Sequence, residues 1–521
     1  AAGSLDVSGD MGGEVNVLGN QVGVIDANVN AAGSFGGGTV RIGGDVQGQG
    51  QVPNAEQTLI SSDAVINANA LEVGNGGQVI VFANEETQFF GTINAQGGAE
   101  AGDGGFVEVS GLDSLTFQGE VNTFAPQGSF GTLLIDPTNI VVVDAPEFDP
   151  GDLATVDEFA DPDLVPGVGT FLSVGAINSA SANVVLQATN DITFDAPVAI
   201  ATAGVGLTAE AFNNITVNSD IFTNGGAVAL SADFDGDGVG SASVNAPILT
   251  AGGSIAISAG GDIVANNLDS SSFSDDGGAI ALQAGGAIST QAIVAFSSTS
   301  NGGDVTLDAT GDIQVDSIDA ESDMGLGGNV DITTLQSFQA PGTLLLGSFF
   351  EGFDEASIST AGSAGSGVIT ISASGDIAVG SLSAGDTDIT LSASQNITAS
   401  DITNLGGTVT ATGADVIVGN IDTGDSTISP AGDVNLTATS GNLSALDIAT
   451  NANADFTGDF DFVGAGDVSL IALAGSITTG DINALASIAG FFSGDGGSVN
   501  VTDRRKGKQY NSSQHSLHHV R

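Results

Sequence analysis

A repeat of about 25 residues is the feature that most limits what this chain can fold into. Segments that alternate apolar and polar residues, such as GGDVTLDATGDIQV, open with Gly-Gly pairs at Gly252, Gly277, Gly302 and Gly327. The first apolar residues of these and later segments recur at variable steps along the chain: Ile255, Ile280, Val305, Val330, Val368, Ile389, Val409, Val434, Val468 and Val499. Steps that vary above a common minimum predict a fixed core coil with loops of different length inserted at one corner.

Each repeat unit contains the pattern of three short strands. In the segment VTL at 305–307 the first and third side chains point to one side, because side chains alternate along a strand. Ile313 and Val315 repeat the pattern after a Gly turn, and Ile318 begins a third segment. One coil cannot bury its apolar side, whereas stacked coils can. We therefore predict an all-β chain folded as a right-handed parallel β-helix, a solenoid with three short strands per coil and loop insertions; a β-sandwich, the alternative, does not require a constant register.

The repeat divides the chain into four sections. Residues 1–142 form a β-helical repeat section, in which GGEVNVLG, GGTVRIGG, GGQVIVFA and GGFVEVSG mark successive coils. Residues 143–180 are acidic and contain four prolines, which remove ladder donors and predict an excursion from the coil. Residues 181–502 form a second repeat section with coils of about 20–25 residues. Residues 503–521 are an atypical basic tail that we expect to lie outside the fold.

Two short helices are predicted inside the acidic excursion. Asp152 is positioned to cap a helix that runs through Phe159, and Ser173 is positioned to cap another through Ala180. The simplest interpretation of the excursion is a joint between two β-helical sections. A binding loop or docking element is the alternative.

Charge excludes several classes of partner. The chain has 62 acidic and 6 basic residues, for a net charge of −56, and Arg41 is the one base before residue 504. Such a body repels nucleic acid and anionic membranes and attracts cations. No apolar run is long enough to span a membrane, and the absence of Cys excludes disulfides. We therefore expect no nucleic-acid partner and no membrane insertion. The acidic residues either keep the chain soluble or collect divalent cations.

Residues 7–200 carry motifs that go beyond a generic repeat. They run in the order GGGTVRIGGDVQGQGQVPNAEQTLISSDAVINANAL, GNGGQVIVFANEETQFFGTINAQGGAEAGDGGFVEVSG and GTLLIDPTNI. This series resembles the repeat region of large bacterial exoproteins of the filamentous haemagglutinin type, which are exported by two-partner secretion. The resemblance implies a β-helical fibre, export across the outer membrane through a β-barrel transporter, and an extracellular or cell-surface location.

The same resemblance implies a role and a position within a longer protein. Proteins of this type act in adhesion, aggregation or surface coating, towards host, neighbouring-cell or matrix surfaces. Their secretion domain carries Asn-Pro-Asn-type motifs, and none occurs in this sequence. We therefore expect this chain to be the section just downstream of that domain, without the recognition site for the transporter.

The segment DFDGDGVGS, which begins at Asp233, is the best candidate for a metal site. Asp233, Asp235 and Asp237 stand at alternate positions beside two glycines, as in the first half of an EF-hand-type calcium loop. The twelfth position is Val244 instead of Glu, so the bidentate ligand is missing. The fold requires no cofactor; Ca²⁺ at these three aspartates is the hypothesis, and a plain solvated turn is the alternative.

The composition argues against catalysis. Lyases built on β-helices need a Lys or Arg base, and the body of the chain offers only Arg41. Nucleophilic triads lack His and Cys in that body. Carboxylate pairs of the kind that hydrolyse glycosides arise by chance among so many acids. We predict that the chain is not an enzyme, with a polysaccharide-degrading β-helix as a remote alternative.

The predicted function is structural and adhesive. The chain would be a rigid acidic β-helical rod that is secreted or displayed on a bacterial surface. A glycan- or calcium-binding module on the same scaffold is the alternative, in which the phenylalanine pairs Phe89–Phe90 and Phe349–Phe350 stack on sugars. Ice binding requires regular outward Thr-x-Thr ladders, and the sequence pattern looks too irregular for them. Uncapped coil ends predict end-to-end self-association.

Overall fold

The regular secondary structure of the described residues consists almost entirely of short strands. The computed structural model describes residues 3–144, 170–340, 358–362, 365–424, 430–454, 464–488, 496–503 and 508–513. They belong to two compact units, Ala1–Gly261 and Asp262–Arg521. Among the described residues, no helix is long and apolar enough to cross a membrane.

The described residues of the first unit contain the strands β1 to β26, one 3-10 turn (Val46–Gly48) and one helix, α1 (Val174–Asn178). Its strands are β1 (Gly3–Asp6), β2 (Glu14–Val17), β3 (Gln21–Val24), β4 (Ala27–Asn30), β5 (Thr39–Ile42), β6 (Gln57–Ile60), β7 (Val65–Asn67), β8 (Gln78–Ala83), β9 (Glu86–Phe89), β10 (Thr92–Asn94), β11 (Phe106–Gly111), β12 (Ser114–Phe117), β13 (Glu120–Asn122), β14 (Thr132–Ile135), β15 (Ile140–Val143), β16 (Phe171–Ser173), β17 (Asn183–Ala188), β18 (Ile192–Phe194), β19 (Val198–Ile200), β20 (Leu207–Ala211), β21 (Ile215–Val217), β22 (Ile221–Thr223), β23 (Val228–Ala232), β24 (Ala242–Val244), β25 (Ile248–Leu249) and β26 (Ile255–Ala259).

The second unit contains the strands β27 to β54. They are β27 (Ile263–Ala265), β28 (Leu268–Asp269), β29 (Ile280–Ala284), β30 (Ile288–Val294), β31 (Val305–Ala309), β32 (Ile313–Asp319), β33 (Val330–Thr334), β34 (Phe338–Ala340), β35 (Ile358–Ser359), β36 (Ile369–Ala373), β37 (Ile377–Val379), β38 (Leu382–Ala384), β39 (Ile389–Ala393), β40 (Ile397–Ala399), β41 (Ile402–Asn404), β42 (Val409–Gly413), β43 (Val416–Val418), β44 (Ile421–Asp422), β45 (Val434–Ala438), β46 (Leu443–Ala445), β47 (Ile448–Ala449), β48 (Ala452–Ala454), β49 (Val468–Ala472), β50 (Ile477–Thr479), β51 (Ile482–Asn483), β52 (Ala486–Ile488), β53 (Ser498–Asp503) and β54 (Lys508–Ser513).

Equivalent strands of successive coils pair in parallel, which confirms the predicted parallel β-helix. In the first unit, the first strands of the coils form one sheet in the order β2, β5, β8, β11, β14, β17, β20, β23 and β26. In the second unit, the corresponding sheet runs β29, β31, β33, β36, β39, β42, β45, β49 and β53. We call each of these sheets the first face of its unit; the second and third strands of the coils pair in the same manner.

The core is a set of internal ladders of aliphatic side chains. On the first face of the second unit, one ladder comprises Ile280, Val305, Val330, Ile369, Ile389, Val409, Val434, Val468 and Val499, all buried. The sequence alignment was wrong by one residue at a single rung, because it placed Val368 in this ladder. Val368 is exposed and Ile369 occupies the rung. Since strand side chains alternate, a slip of one residue moves a side chain from the core to the solvent.

Buried hydroxyl groups mark the corner at which the third strand leads into the next coil. In the second unit these hydroxyls donate to the glycine carbonyl groups that precede the following first strand, at 2.6–2.8 Å: Ser270 to Gly278, Thr360 to Gly367, Thr423 to Gly432 and Thr450 to Gly466. The four bonds span 8, 7, 9 and 16 residues of sequence, so loops of different length leave the same anchored corner.

This corner is one of several insertion points, which differs from the prediction of a single corner. In the first unit, residues 43–56 and 233–241 both connect a first strand to a second strand. Extra residues are tolerated at any corner because they lie outside the stacked strands.

Aspartate and asparagine side chains tie each coil to the next at the turns. Asp304 accepts hydrogen bonds from the backbone and side-chain amides of Asn329, at 2.8 and 3.0 Å, and Asn329 in turn accepts from the backbone amide of Val368 at 3.0 Å. A second ladder links Asp401 to Asn420 at 2.8 Å and Asn420 to Asp447 at 3.3 Å. The acids in the turns therefore hold the stack together as well as carrying charge.

Replacing Asp304 with alanine is expected to lower the free energy of unfolding by about 1 kcal/mol, because the amide of Asn329 loses a charged acceptor in a partly solvated turn. Urea unfolding of the variant and of the native chain measures the difference. Asp308→Ala is the matched control, since Asp308 is exposed on the neighbouring strand and accepts none of the described hydrogen bonds. Equal losses in the two variants would contradict a structural role for the turn ladder.

The acidic excursion returns to the fold through β16 and α1. Strand β16 pairs with β12 and with β15, and β15 also pairs with β18 beyond the excursion. The helix predicted at Ser173 is present: the Ser173 hydroxyl accepts the amide of Gly175, and the helix ends at Asn178 instead of Ala180. The helix predicted from Asp152 lies outside the described residues.

The basic tail contributes one strand, which differs from its predicted place outside the fold. Strand β54 pairs antiparallel with β53, with Lys508 opposite Asp503. All other described strand pairs are parallel. Because β53 lies at the end of the first face, β54 covers backbone groups that would otherwise form an open sheet edge.

Candidate functional site

The predicted calcium segment is an insertion between β23 and β24. The preceding coil runs from Leu207 to Val228, and this longer coil runs from Val228 to Ile255. The connection between first and second strands is residues 212–214 in the earlier coil and residues 233–241 in this one, which accounts for the difference. The aspartates thus lie on a loop that projects from an otherwise regular stack.

Backbone hydrogen bonds give this loop a compact, defined turn. The amide groups of Asp233 and Phe234 donate to the preceding coil, at 3.2 Å to Asn213 and 2.9 Å to Ala211. Asp233 adopts a left-handed φ of 69°, and its carboxylate accepts the amide of Gly238 at 2.9 Å. Gly238 also has a positive φ, of 83°, which suits a residue without a Cβ.

The three predicted ligands come together. One carboxylate oxygen from each of Asp233, Asp235 and Asp237 lies within 4.8 Å of the others. Asp233 is half-buried, and the other two are exposed. The Val244 side chain, at the position where an EF-hand has its bidentate Glu, is buried in the core and cannot turn towards the loop. The geometry thus offers three carboxylates on an open turn.

Packing fixes the base of the loop. The rings of Phe212 and Phe234 lie with centroids 6.4 Å apart, so the loop is anchored to the coil before it. Gly260 of the coil after it lies so close that a Cβ there would overlap the Asp233 carboxylate. The Asp233 carboxylate therefore has a fixed position, whereas Asp235 and Asp237 extend into solvent.

Two phenylalanines proposed to stack on sugars are not on the surface. Phe89 is fully buried and packs against Phe117 with ring centroids 5.1 Å apart, and Phe90 is buried as well. Phe89 follows the alternation of β9 into the core, where aromatic rings contribute large buried area. Phe349 and Phe350 lie outside the described residues.

A second insertion, residues 43–56, covers part of the first face of the first unit. Arg41 on β5 holds its start, with an ion pair to Asp45 at 3.1 Å and another to Glu14 at 2.6 Å. Glycine at position 48 lets the loop approach the Phe82 ring, to which a Cβ would come within 2.6 Å. We call this segment the 43–56 loop.

Gln47, at the tip of the 43–56 loop, connects the loop to three later coils. Its backbone amide donates to both oxygens of Glu108, at 2.9 and 3.1 Å. Its side-chain amide donates to Asp136 at 3.0 Å and to Gln187 at 2.8 Å, and Gln187 donates in turn to Glu210. Gln47 has a left-handed φ of 52°, a conformation uncommon for a residue with a side chain. The loop is therefore held by this network over a sheet face.

Burial changes the titration of these carboxyls. Glu108 is fully buried, and burial raises its pKa to about 7, with further increases from the charges of Asp136 and Asp45, against hydrogen bonds from Gln47 and Ser110. Burial also raises the pKa of Asp136, which the hydrogen bond from Gln47 offsets in part. Glu108 is thus a carboxyl that exchanges its proton near neutral pH at the contact between loop and sheet.

The Glu108 network was missed by the sequence analysis. Glu108 was one outward residue in GGFVEVSG among many acids, and Gln47 is 61 residues away from it. A usable signal was the long step from Val40 to Val79, which indicates an extra loop after β5. The sequence could not predict which sheet residues that loop would cover. Glu108 is sealed from solvent and accepts the backbone amide of Gln47, so it holds the loop.

The second unit has its own acidic cluster, on the strands β28, β30 and β32. Asp269 and Asp319 flank Val294 in register. Burial raises the pKa of Asp319 to about 7, and the charges of Glu321, Asp269 and Asp323 raise it further, despite a hydrogen bond from the Glu321 amide at 3.0 Å. Like-charged neighbours in a confined site favour the protonated form.

Sequence comparison adds no relative to this description. No protein-family model matches the chain, and no curated protein is significantly similar to it.

Proposed function

We propose that this chain is a structural section of a secreted or surface-displayed bacterial exoprotein, acting in adhesion, aggregation or surface coating. The observation that carries the proposal is the stacking of near-identical coils, joined in register by core ladders and turn ladders. Such a stack gains stability from each nearest-neighbour interface, so its length and surface are its working features.

The ionisable side chains support a role without catalysis. Arg41, the one base before residue 504, is held between Glu14 and Asp45 and is not free to take a proton from a substrate. The Glu108 carboxyl is sealed beneath the 43–56 loop. The high negative charge also disfavours nucleic acid as a partner.

The motifs of residues 7–200 support the route to the surface. Their resemblance to filamentous haemagglutinin-type repeats points to an outer-membrane β-barrel transporter as the partner in export. Host, neighbouring-cell or matrix surfaces, including their glycans, are the partners after export. Because β54 covers the end of the first face, we expect any end-to-end association to use the edges of other strands.

Adhesion of cells that produce the chain tests this proposal. We expect antibodies against the repeat sections to label intact cells, and deletion of the repeat sections to reduce surface adhesion or cell aggregation several-fold. Restoring the coding region should restore both. Labelling only after permeabilisation, or unchanged adhesion, would contradict the proposal; release of reducing ends from polysaccharides by the purified chain would contradict its non-catalytic part.

The Asp233 loop favours a second candidate function, calcium binding on the same scaffold. Its three carboxylates converge within 4.8 Å on a turn whose backbone is already ordered. Calcium accepts such oxygen ligands and fills its remaining positions with carbonyl groups and water. With Val244 in place of a bidentate Glu, binding should be weak.

Calorimetric titration with Ca²⁺ should give one saturable binding event with a Kd of roughly 0.1–1 mM, the range of extracellular calcium modules. The triple variant Asp233→Asn, Asp235→Asn and Asp237→Asn should lose it, because amide oxygens carry no net charge. Asp308→Asn, which alters an exposed acid on another coil, is the control and should bind normally. Absence of heat in the native chain, or equal heat in the triple variant, would rule out this site.

A further inference from the structure

Several outward side chains on the first face of the first unit are buried. Arg41, Ile80, Glu108 and Leu134 are paired in register along one outward row of this sheet. Ile80 and Glu108 are 0% exposed, Leu134 is 6% exposed, and the outward ring of Phe82 is 3% exposed. On the first face of the second unit, the outward residues of β31 are exposed instead. We call Ile80, Phe82, Glu108 and Leu134 the covered patch.

The 43–56 loop lies over the covered patch. The backbone amide of Gln47 donates to both Glu108 oxygens, at 2.9 and 3.1 Å, and Gly48 lies against the Phe82 ring. Ile80 and Leu134 flank Glu108 on the neighbouring strands, so they stand on either side of this contact. The loop therefore fills the place that an external ligand of this face would occupy.

One residue holds the tip of the loop to the later coils. Among the hydrogen bonds that the structure describes, those from residues 46–52 to later coils all come from Gln47, and their acceptors are Glu108, Asp136 and Gln187. Gln47 has a left-handed φ of 52°, which costs free energy in a residue with a Cβ and offsets part of what these hydrogen bonds contribute. The tip can therefore lift as one unit when Gln47 leaves its acceptors.

Acidic groups from several elements surround this contact. In addition to Glu108 they are Asp45 of the loop, Asp136 after β14 and Glu210 of β20. The nearby base, Arg41, is already paired with Glu14 and Asp45. Burial, together with the charges of Asp136 and Asp45, raises the pKa of Glu108 to about 7. Loss of this proton therefore places a negative charge, without a base of its own, between the loop and the sheet.

The composition of the covered patch selects its occupant. A carboxylate between two aliphatic side chains fits a basic side chain between two apolar ones, because the ion pair and the apolar contacts form together. Anionic polymers are repelled by the same acids. Gln47 imitates such an occupant, since it offers N–H donors to Glu108 and Asp136, but it carries no positive charge. A lysine or arginine therefore satisfies the ionised Glu108 better than the loop does.

We propose that the 43–56 loop is an autoinhibitory strap over a docking site, and that the site takes an extended polypeptide segment with a basic side chain between apolar ones. The strap is closed while Glu108 is protonated. Above neutral pH the ionised Glu108 is repelled by Asp45 of the strap and attracts the basic side chain, so both effects favour docking. The inference concerns the first unit alone and does not depend on surface display.

Binding of a labelled peptide to the purified full chain tests the proposal. The probe is a fluorescent nonapeptide that repeats Leu-Ser-Lys-Ser, so that its leucine and lysine side chains share one side of an extended chain. Fluorescence anisotropy should show saturable binding that is several-fold tighter at pH 8 than at pH 5. An analogue with serine in place of each leucine has the same charge and should bind several-fold more weakly at pH 8.

Two substitutions should move the affinity for the peptide in opposite directions. Glu108→Gln keeps the strap closed and removes the charge beneath it, so binding at pH 8 should be several-fold weaker and the rise with pH should disappear. Gln47→Glu places a carboxylate against Glu108 and Asp136, which repel it and open the strap, so binding at pH 7 should be several-fold tighter than in the native chain.

Glu120→Gln and Gln283→Glu are the matched controls, because they make the same changes of charge at exposed positions outside the covered patch. Both should bind the peptide like the native chain. Hydrogen exchange of the core amides should be equal in all variants, which separates loss of docking from loss of fold. Absence of saturable binding by the native chain at pH 8, an unchanged rise with pH in Glu108→Gln, equal affinities of Gln47→Glu and Gln283→Glu, or equal binding of the serine analogue would each overturn the proposal.

Discussion

Substituting alanine for Leu307 is expected to lower the free energy of unfolding of its region by about 2–5 kcal/mol, the range for large-to-small changes in close-packed cores. Leu307 is fully buried on β31, stacked in register between Leu282 and Ile332. The removed atoms leave a cavity that the rungs above and below cannot fill, because each is fixed by its own backbone ladder. The loss should be among the largest for any single change in the second unit.

The effect should also be local. In a stack of repeats each coil contacts mainly its neighbours, so the amides of β29, β31 and β33 should exchange with solvent much faster, while distant coils keep their protection. Thr306→Ala, one residue earlier and exposed, should change exchange little. Uniform loss of protection over the whole unit would show instead that the coils unfold as one cooperative body.

The fold could be predicted from the sequence because every repeat has to bury the same apolar positions. Val305 and Leu307 belong to a pattern that recurs at a nearly constant period, and stacking is the way for such coils to bury their apolar sides. The error at Val368 arose where two apolar residues, Val368 and Ile369, are adjacent, so alternation alone gave two registers. The sequence step to that coil is longer than the preceding steps, so the repeat period could not decide between the two registers.

The role of the acids could be predicted only in part. A turn aspartate such as Asp304 is most simply interpreted as a charge that keeps the chain soluble. Its hydrogen bond to the next coil forms only when the coils are stacked, and the sequence of one repeat does not specify that stacking. The cluster at Asp233 could be predicted because its three aspartates are close in sequence. Glu108 was missed because its partner, Gln47, belongs to an insertion whose direction is set by packing on Phe82.

Replacing Glu108 with glutamine is expected to make the 43–56 loop less sensitive to pH. The pKa of Glu108 is raised from 4.5 to about 7 in the folded chain, so the folded state binds the proton more tightly than the open state does. The resulting stability is complete below pH 4.5, falls as the pH rises towards 7, and is absent above it. A pKa difference of this size corresponds to at most about 3–4 kcal/mol, since one pKa unit is worth about 1.36 kcal/mol.

Glutamine at this position stays neutral, keeps an oxygen for the Gln47 amide and removes repulsion from Asp136 and Asp45. Loop opening, followed by hydrogen exchange of residues 43–56 and corrected for intrinsic rates, should therefore become markedly easier between pH 5 and pH 8 in the native chain and change little in Glu108→Gln. Glu120→Gln, an exposed substitution on β13, should keep the native profile. Parallel profiles for the native chain and Glu108→Gln would mean that the Glu108 carboxyl does not control the loop. If the 43–56 loop opened more easily at acid than at neutral pH, the pH dependence would have the opposite sign. Glu108 would then not be protonated in the closed state.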